Sequence, residues 1–406
     1  MAATSPDPAA RVPATGIPPR GSLAEGLRGH SNSFGLLRLI LASSVIFSHA
    51  FYIGGWGEDP THEWTHGQET IGGFAVVGFF VISGYLIAKS GAGNDIMQFL
   101  WRRVLRIFPA FWLVLIVAAV VVGPIFWVAS GHPLGAYVTT QGAGPLGYLI
   151  LNSDLTIRHY GIYDIFATTT PYGDYTGGVS VFNGSLWTLA YEWTCYLVIA
   201  AFVVLGILRR ARFLVPVAAG FFYVLIVFGR FIPGGPGAIH PRLGDPFTLR
   251  LTLIFLIGST MAMYARRIPL RDWLGVVGWV VAVTTLFTHG WVPIGYPAFA
   301  YALLWTAARL PERFRRIGAK NDYSYGMYVY GFLVQQATAY LAWYRLGYVP
   351  WVIICLAITA ACAYASWHLV EKRALALKDW GPGRGLRYWW SRRPGGVASS
   401  TRGAHA

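Results

Sequence analysis

Charged side chains are scarce in this chain. They make up 12% of its 406 residues, against about 25% in soluble domains. So few charges cannot cover the surface of a water-soluble protein of this length, and that class is excluded. Cysteine is also rare: the three present lie in apolar segments and predict neither a disulfide framework nor a metal cluster. A polar–apolar alternation of the kind that builds membrane strands is lacking too, so the sequence does not predict a transmembrane barrel.

Long apolar runs dominate the sequence. Hydrophobic residues reach 55% of the chain, and the mean hydropathy is +0.48. Runs of about twenty residues recur, and each is long enough to cross a hydrocarbon core of about 30 Å as a helix. We therefore predict an all-α, polytopic membrane helix bundle with about ten transmembrane helices. The predicted spans are 34–53, 72–89, 109–129, 185–208, 213–230, 248–265, 272–288, 292–308, 323–343 and 349–371.

The net charge of +15 is distributed unevenly along the chain. Arginine and lysine gather in alternate loops, the pattern that marks the cytoplasmic side of membrane proteins. We therefore expect both termini in the cytoplasm and no nucleic-acid partner. Residues 1–32 are expected to form a disordered cytoplasmic tail, 33–375 the membrane domain, and 376–406 a basic, disordered cytoplasmic tail.

Two ionisable residues stand in the first predicted span, RLILASSVIFSH (38–49). Arg38 and His49 are eleven residues apart, which puts them on nearly the same side of a helix and about 16 Å apart along its axis. Arg38 is either a functional cation or an anchor that extends to the membrane surface. Ionisable groups inside spans usually face the bundle interior and serve a function, so His49 is a candidate general base. A structural histidine satisfied by a neighbour is the alternative.

A third intramembrane ionisable residue is Glu192, in SLWTLAYEWTCY (185–196). It lies about 10 Å from the boundary of its span, at a depth comparable to that of His49. A His49–Glu192 pair would orient the imidazole and raise its basicity, as a general base requires. A purely structural pair that locks two helices is the alternative.

Small and basic residues suggest a binding region at the opposite end of the bundle. Ser83-Gly84 lies inside an apolar run, where small residues let a ligand or another helix approach closely. In the basic segment FLWRRVLRIFPAFW (99–112), Arg103 and Arg106 share one helix face. They either clamp an anionic ligand or contact lipid headgroups.

Two short motifs match known signatures without their structural context. HEWTH (62–66) has the H-E-x-x-H pattern of zinc proteases, but it sits in a short predicted loop without apolar periodicity. GAGPLG (142–147) has the G-x-G-x-x-G pattern, but it contains a proline and follows no predicted strand. We therefore expect no metal site and no nucleotide loop at these positions.

Four motifs in order give the chain a family resemblance. They are the Arg-x10-His pattern of Arg38 and His49, FFVISGYLI (79–87), RVLRIFP (103–109) and SLWTLAYE (185–192). Together they resemble the membrane-bound acyltransferase family 3, the bacterial O-acyltransferases of surface polysaccharides and other glycans. The resemblance covers about residues 33–375. It departs from the family pattern at Gly331, where a histidine is frequent, and at Arg373, where a proline is frequent, so no catalytic role is carried to the last two spans.

The resemblance implies an enzyme of the bacterial cytoplasmic (inner) membrane. It implies that an acyl group, expected to be acetyl, moves from cytoplasmic acyl-CoA to a hydroxyl of a carbohydrate or glycolipid acceptor. Acyl-CoA would be a co-substrate, with no permanently bound cofactor, and lipid the remaining partner. The catalytic residues would be His49, Glu192 and Arg38. Donor contacts would come from Arg102, Arg103, Arg106, Ser83 and Gly84. Acceptor contacts would come from Ser185, Trp187 and Tyr196.

One alternative function stays open at this point. Intramembrane arginine, histidine and glutamate also build proton relays in transporters and flippases. The sequence shows no matching pair of broken helices in its two halves, which such proteins commonly have. The acceptor, the acyl chain length and the oligomeric state are not determined by the sequence.

Overall fold

The structure is a computed structural model that describes residues 21–29, 32–93 and 95–380. The predicted tail segments 1–20 and 381–406 lie outside the described residues. Within the described ranges every regular element is helical, and the only β pairing there is an isolated bridge between Ser22 and Pro269. The all-helical class predicted from the apolar runs is therefore confirmed.

Ten helices of 14 or more residues form the bundle in the described part of the chain. They are α1 (Phe34–Ile53), α2 (Ile71–Gly93), α3 (Ile96–Ile116), α4 (Thr188–Val204), α5 (Leu214–Phe228), α6 (Pro246–Tyr264), α7 (Asp272–Phe287), α8 (Tyr296–Arg309), α9 (Ser324–Tyr340) and α10 (Tyr348–Ser366). Each predicted span overlaps one of them. Helix α3 continues through wider turns to Ala129, and α10 continues in the same way to Asp379.

Six of these helical segments are long and apolar enough to cross a membrane, namely α1, α2, α3, α5, α6 and α10 with their extensions. Helices α4, α7, α8 and α9 are shorter, at 14 to 17 residues. The count of about ten spans and the cytoplasmic position of both termini therefore stay predictions. Helix α3 starts earlier than its predicted span, because Asp95 caps it by accepting hydrogen bonds from the backbone N–H groups of Met97 and Gln98.

Helices α2 and α6 cross in close contact at two glycines. A Cβ atom added to Gly84 would lie 2.1 Å from the carbonyl oxygen of Phe255, and one added to Gly258 would lie 2.4 Å from that of Val81. The Ser259 hydroxyl donates to the carbonyl oxygen of Gly84 at 3.1 Å. Small residues allow this backbone contact. Gly84 therefore serves helix packing, and its role in donor binding stays a prediction.

Residues 130–184, between the third and fourth predicted spans, form a cap on one end of the bundle. It contains short helices Pro145–Asn152 and Pro171–Tyr175 and buries Phe182 completely. Two amides tie its last residues to α9: Asn183 Nδ2 donates to the carbonyl oxygen of Val329 at 2.7 Å, and Gln336 Nε2 donates to that of Val181 at 2.6 Å. These bonds hold the segment that leads into α4, where Ser185 and Trp187 lie.

Residues on both sides of the predicted boundaries 33 and 375 contact the bundle. A short helix, Leu23–Gly26, is packed into the core, with Leu23 fully buried and its N–H donating to the carbonyl oxygen of Ile268 at 2.9 Å. At the other end, Arg102 on α3 forms an ion pair with Asp379 at 3.0 Å. The domain boundaries themselves stay predictions.

Candidate active site

His49 lies near the end of α1, beside the buried Ser48. Its ring makes an edge contact with Phe332, with 5.3 Å between the ring centres. Its Nδ1 is inaccessible and has no hydrogen-bond partner among the described residues. The ring lines a cavity of about 320 Å³, the His49 cavity, which Ser185 and Trp187 also line. A polar molecule in this cavity would therefore lie beside the imidazole ring.

Asp59 is a buried carboxylate near His49. It is fully buried, and its charge interacts with the imidazole. Its Oδ2 accepts hydrogen bonds from the Ser48 hydroxyl at 2.5 Å and from the N–H of Ile71 at 3.0 Å. Its Oδ1 caps the short helix Pro60–Trp64 by accepting from the N–H of Thr61. The burial of Asp59 near His49 is not evident from the sequence, because Asp-Pro-Thr is also an ordinary helix-start signal.

The HEWTH motif (62–66) covers the end of that short helix and the two residues after it. His62 and Glu63 are exposed, and the ring of His66 stacks on that of His289 with 4.9 Å between the ring centres. Within the described ranges no group of three His, Cys, Asp or Glu side chains could hold a metal ion. The helix cap comes from Asp59, three residues before the motif, and not from the motif itself.

Glu192 binds other partners than the one predicted. Its Oε1 accepts hydrogen bonds from the hydroxyls of Ser83 at 3.0 Å and Tyr196 at 2.5 Å. The predicted His49–Glu192 pair is therefore wrong, because the carboxylate faces α2 and its own helix instead of His49. Glu192 and Ser83 line a narrow chamber of about 40 Å³, the middle chamber, together with Arg38.

Asp322 joins two of the predicted arginines. Its Oδ2 accepts from Arg38 Nη1 at 2.7 Å and from Arg106 Nη2 at 2.6 Å, and its Oδ1 accepts from the N–H of Ser324. Burial alone would raise the pKa of Asp322, but the two guanidinium groups hold it well below its usual range. One carboxylate against two guanidinium groups leaves a net positive charge. Asp322 was missed because it stands just before a span, where capping is the default interpretation.

Arg103 differs from its neighbours in having no ion pair among the described residues. Its guanidinium lies 5.8 Å from the ring centre of Phe99 and 5.9 Å from that of Tyr196, and its Nε is inaccessible and without a hydrogen-bond partner. The buried Glu371 lies in the same region and interacts electrostatically with Arg106. A cation that contacts aromatic faces and has no ion pair is available for an anionic ligand.

The arginines line a third cavity, of about 160 Å³, which we call the arginine cavity. Its wall contains Arg38, Arg102, Arg103, Arg106, Ser83 and Tyr196. Tyr196 was predicted to contact the acceptor, but it lies here, away from the His49 cavity. It lies here because it is two helical turns beyond Thr188 and on the face turned toward α3, and its acceptor contact stays a prediction.

The three cavities adjoin in series. The arginine cavity and the middle chamber share Arg38 and Ser83. The middle chamber and the His49 cavity share Val76, Thr188 and Tyr328. Tyr328 is fixed at this junction because its hydroxyl donates to the carbonyl oxygen of Ser185 at 2.8 Å. A line of small spaces therefore leads from the buried arginines to the unpartnered imidazole.

Comparison with known proteins assigns the chain to a family. A family model described as "Acyltransferase domain", of acyltransferase family 3, matches residues 31–368. The chain belongs to this family. The acyltransferase is 28% identical over 362 residues to a protein of Shigella phage Sf6 named O-acetyl transferase, covering 85% of this chain and 96% of that protein. It is also 28% identical over 387 residues to nodulation protein 10 of Rhizobium leguminosarum bv. viciae, covering 88% and 97%. No solved structure matches the chain.

The family resemblance inferred from the motifs is therefore confirmed. The family consists of membrane proteins, and the relatives support an O-acyltransferase. Of the predicted site residues of the acyltransferase, His49, Ser185 and Trp187 line one cavity, and Arg38, Arg102, Arg103, Arg106 and Ser83 line the cavity at the other end of the series. Their catalytic and binding roles stay predictions.

Glu69 and Arg250 also line the His49 cavity, although the sequence did not predict them as site residues. Glu69 is 13% exposed, and its Oε2 lies 3.7 Å from Arg250 Nη2 and accepts a hydrogen bond from Trp291 Nε1 at 3.1 Å. Burial raises the pKa of Glu69, while the Arg250 charge opposes that rise. Glu69 precedes α2, so composition alone assigned it to a solvated loop. Both residues are available to orient a polar substrate in the acyltransferase.

Proposed function

We propose that this protein transfers an acetyl group from cytoplasmic acetyl-CoA to a hydroxyl of a glycan at the opposite face of the bacterial inner membrane. The observation that carries the proposal is the series of adjoining cavities between the buried arginines and His49. The name O-acetyl transferase belongs to the phage relative, and it supports the same reaction type here.

The donor would bind at the arginine cavity. Coenzyme A carries phosphate groups, which guanidinium groups recognise by charge-assisted hydrogen bonds. Arg38 and Arg106 share the single carboxylate of Asp322, and Arg103 has no ion pair among the described residues. The cavity thus keeps an excess of positive charge inside the bundle, where an anion gains more than at the surface.

The size of the middle chamber favours a short acyl group. A water molecule needs roughly 10–15 Å³ of cavity space of this kind, so the chamber of about 40 Å³ holds about three water-sized groups. An acetyl group, with three heavy atoms, is of that size. A long acyl chain would require Phe79 and Tyr328, whose ring centres lie 5.9 Å apart, to move aside.

His49 would act as the general base. Its ring nitrogen takes the proton of the acceptor hydroxyl as that oxygen attacks the thioester carbonyl carbon. The new C–O ester bond forms, the C–S bond breaks, and the leaving coenzyme A thiolate takes up the proton that the imidazolium holds. The buried charge of Asp59 stabilises the imidazolium between these two steps. Glu192 would act differently from its predicted role, by positioning Ser83 and Tyr196 beside the donor path.

Two histidine variants test the proposal. Mass spectrometry of lipid-linked and surface glycans compares cells with the wild-type protein, with His49→Ala, and with His66→Ala. His66 is an exposed histidine outside the three cavities and serves as the matched control. We expect an acetyl mass increase with wild type and His66→Ala and none with His49→Ala at equal membrane abundance. An acetylated glycan with His49→Ala would remove His49 as the base. Movement of glycan without acetylation in vesicles would favour a transporter.

A further inference from the structure

A carboxylate and a guanidinium lie close together in the wall of the His49 cavity without a direct hydrogen bond. They belong to Glu69 and Arg250, which both line the cavity. Glu69 Oε2 lies 3.7 Å from Arg250 Nη2, which is too long for a hydrogen bond between the two groups. A contact of this length commonly has a third polar group between its partners. A hydroxyl oxygen about 2.8 Å from both atoms would bridge the pair.

Fixed neighbours hold both side chains in this open arrangement. Glu69 Oε2 accepts a hydrogen bond from Nε1 of the fully buried Trp291 at 3.1 Å. Arg250 Nη2 donates to the carbonyl oxygen of Gln68 at 3.0 Å. A Cβ atom added to Gly73 would collide with Glu69 Oε1, so the glycine leaves room for the carboxylate. Because the pair is already positioned by the protein, a ligand that binds it does not have to order these side chains.

The buried Asp59 ties this pair to the end of α1 that carries His49. Its Oδ2 accepts hydrogen bonds both from the Ser48 hydroxyl and from the N–H of Ile71. Ser48 directly precedes His49, and Ile71 is two residues after Glu69. The position of the Glu69 carboxylate is therefore fixed relative to the imidazole, as a group that orients a substrate against a general base requires.

The size and the charge of the His49 cavity favour a neutral sugar as its ligand. Its volume of about 320 Å³ holds roughly 20–30 water-sized groups, which is enough for one or two sugar rings. Glu69 and Arg250 together carry no net charge, and the buried Asp59 is a second carboxylate nearby. An acidic sugar would therefore meet repulsion. A neutral hydroxyl both donates and accepts, so it satisfies the carboxylate and the guanidinium at once.

We propose that Glu69 and Arg250 determine acceptor specificity by binding a second hydroxyl of the sugar ring whose first hydroxyl is deprotonated by His49. The second hydroxyl donates to Glu69 Oε2 and accepts from Arg250 Nη2. The pair thereby selects neutral sugars over acidic ones and sets which hydroxyl of the ring faces the imidazole. This assignment rests on the proposed function and narrows its acceptor class.

Saturation-transfer NMR tests the assignment by binding alone. The probes are the methyl glycosides of glucose, galactose, mannose, fucose and rhamnose, with methyl glucuronide as the acidic probe. Each is added to the full-length protein in detergent micelles without acetyl-CoA. We expect at least one neutral glycoside to bind and the glucuronide to bind more weakly. Glu69→Gln keeps an oxygen for Trp291 Nε1 but removes the charge, and it should weaken binding of the neutral glycoside roughly ten-fold. Glu63→Gln, at an exposed position of the same segment outside the cavity, should leave binding unchanged.

Deoxy analogues of the bound glycoside separate recognition from a structural role of the pair. Each analogue lacks one hydroxyl. The analogue without the bridging hydroxyl should bind the wild-type protein roughly ten-fold more weakly than the parent glycoside. Its affinity should not fall further in Glu69→Gln or in Arg250→Gln, because the contact is already absent. A purely structural effect of these variants would weaken the binding of the parent and of every analogue by the same factor.

Three results would overturn the assignment. The first is that equal weakening of the parent and all its deoxy analogues in both variants. The second is binding of the glucuronide as tight as that of the neutral glycosides. The third is a lack of binding by every neutral glycoside. Acetylation is measured separately with acetyl-CoA, so binding with the expected pattern but without acetylation would count against the proposed reaction alone.

Discussion

Replacing Arg103 or Arg106 by methionine, one at a time, tests whether Arg103 binds a ligand while Arg106 stabilises the fold. Arg103 and Arg106 lie three residues apart on α3, and both are half-buried. Arg106 donates to Asp322 at 2.6 Å, whereas Arg103 has no ion pair in the described part of the chain. Arg106→Met is therefore the matched control. A buried cation without a counter-ion adds little to stability and is best explained by a ligand.

The structure sets the expected magnitudes. The Arg103→Met variant loses two contacts of the guanidinium with aromatic rings, whose centres lie 5.8 and 5.9 Å from it. Each is worth about 0.5–1 kcal/mol at most, and the relief of burying its charge offsets that loss. We expect the free energy of unfolding to change by less than about 1 kcal/mol. A lost charge-assisted hydrogen bond to phosphate costs about 1.5–3 kcal/mol, so the Kd for acetyl-CoA should rise by a factor of ten or more.

Arg106→Met should give the opposite result. Removing one partner of a buried ion pair costs about 3–5 kcal/mol, and Arg38, at 2.7 Å from the same carboxylate, keeps the loss near the lower figure. Thermal unfolding in detergent and calorimetric titration with acetyl-CoA measure both quantities in each variant. The reasoning is refuted if Arg103→Met lowers stability as much as Arg106→Met and leaves the Kd for acetyl-CoA unchanged.

Three further outcomes follow from the site and the packing. Asp59→Asn should lower kcat about ten-fold or more with an unchanged KM for acetyl-CoA, whereas Thr61→Val disturbs the same loop bonds without removing charge and should lower kcat far less. Phe79→Ala should admit butyryl groups to the middle chamber, and an unchanged preference between acetyl-CoA and butyryl-CoA would contradict that route. Gly84→Ala should destabilise the protein by about 1–3 kcal/mol or more, because the added Cβ would lie 2.1 Å from a carbonyl oxygen. The control is Gly93→Ala, whose Cβ meets nothing within 4 Å, and it should leave thermal unfolding unchanged.

Several residues of the cavities could be singled out because their chemistry is conspicuous in an apolar sequence. His49, Arg38, Arg103 and Arg106 stand in or beside runs that contain few other charges, and placing an ionisable group there costs free energy, so a function was predicted for each. The position of Asp59 near His49 was not predictable, since the residue is equally well explained as a helix cap. Its oxygens accept hydrogen bonds both from the loop and from Ser48, the residue next to His49.

The failed His49–Glu192 pair has a physical origin. Residue spacing along a helix determines height along its axis, and on that basis Glu192 matched His49. It does not determine the rotation of one helix against another. In the structure, Glu192 is turned toward Ser83, and Tyr196 toward Arg103. Gly84 shows a related ambiguity, because a small residue permits the approach of a helix as readily as that of a ligand.

The sequence by itself determined that this chain is a helical membrane protein, that it belongs to an acyltransferase family, and which of its buried residues carry reactive or cationic groups. These properties follow from composition and from local order along each helix. Only the tertiary structure decided that Asp59 is buried against Ser48, beside His49, that Asp322 joins two arginines, and that three cavities adjoin in series. Such contacts join residues far apart in the chain, and they exist only once the rotations and crossings of all the helices are set together.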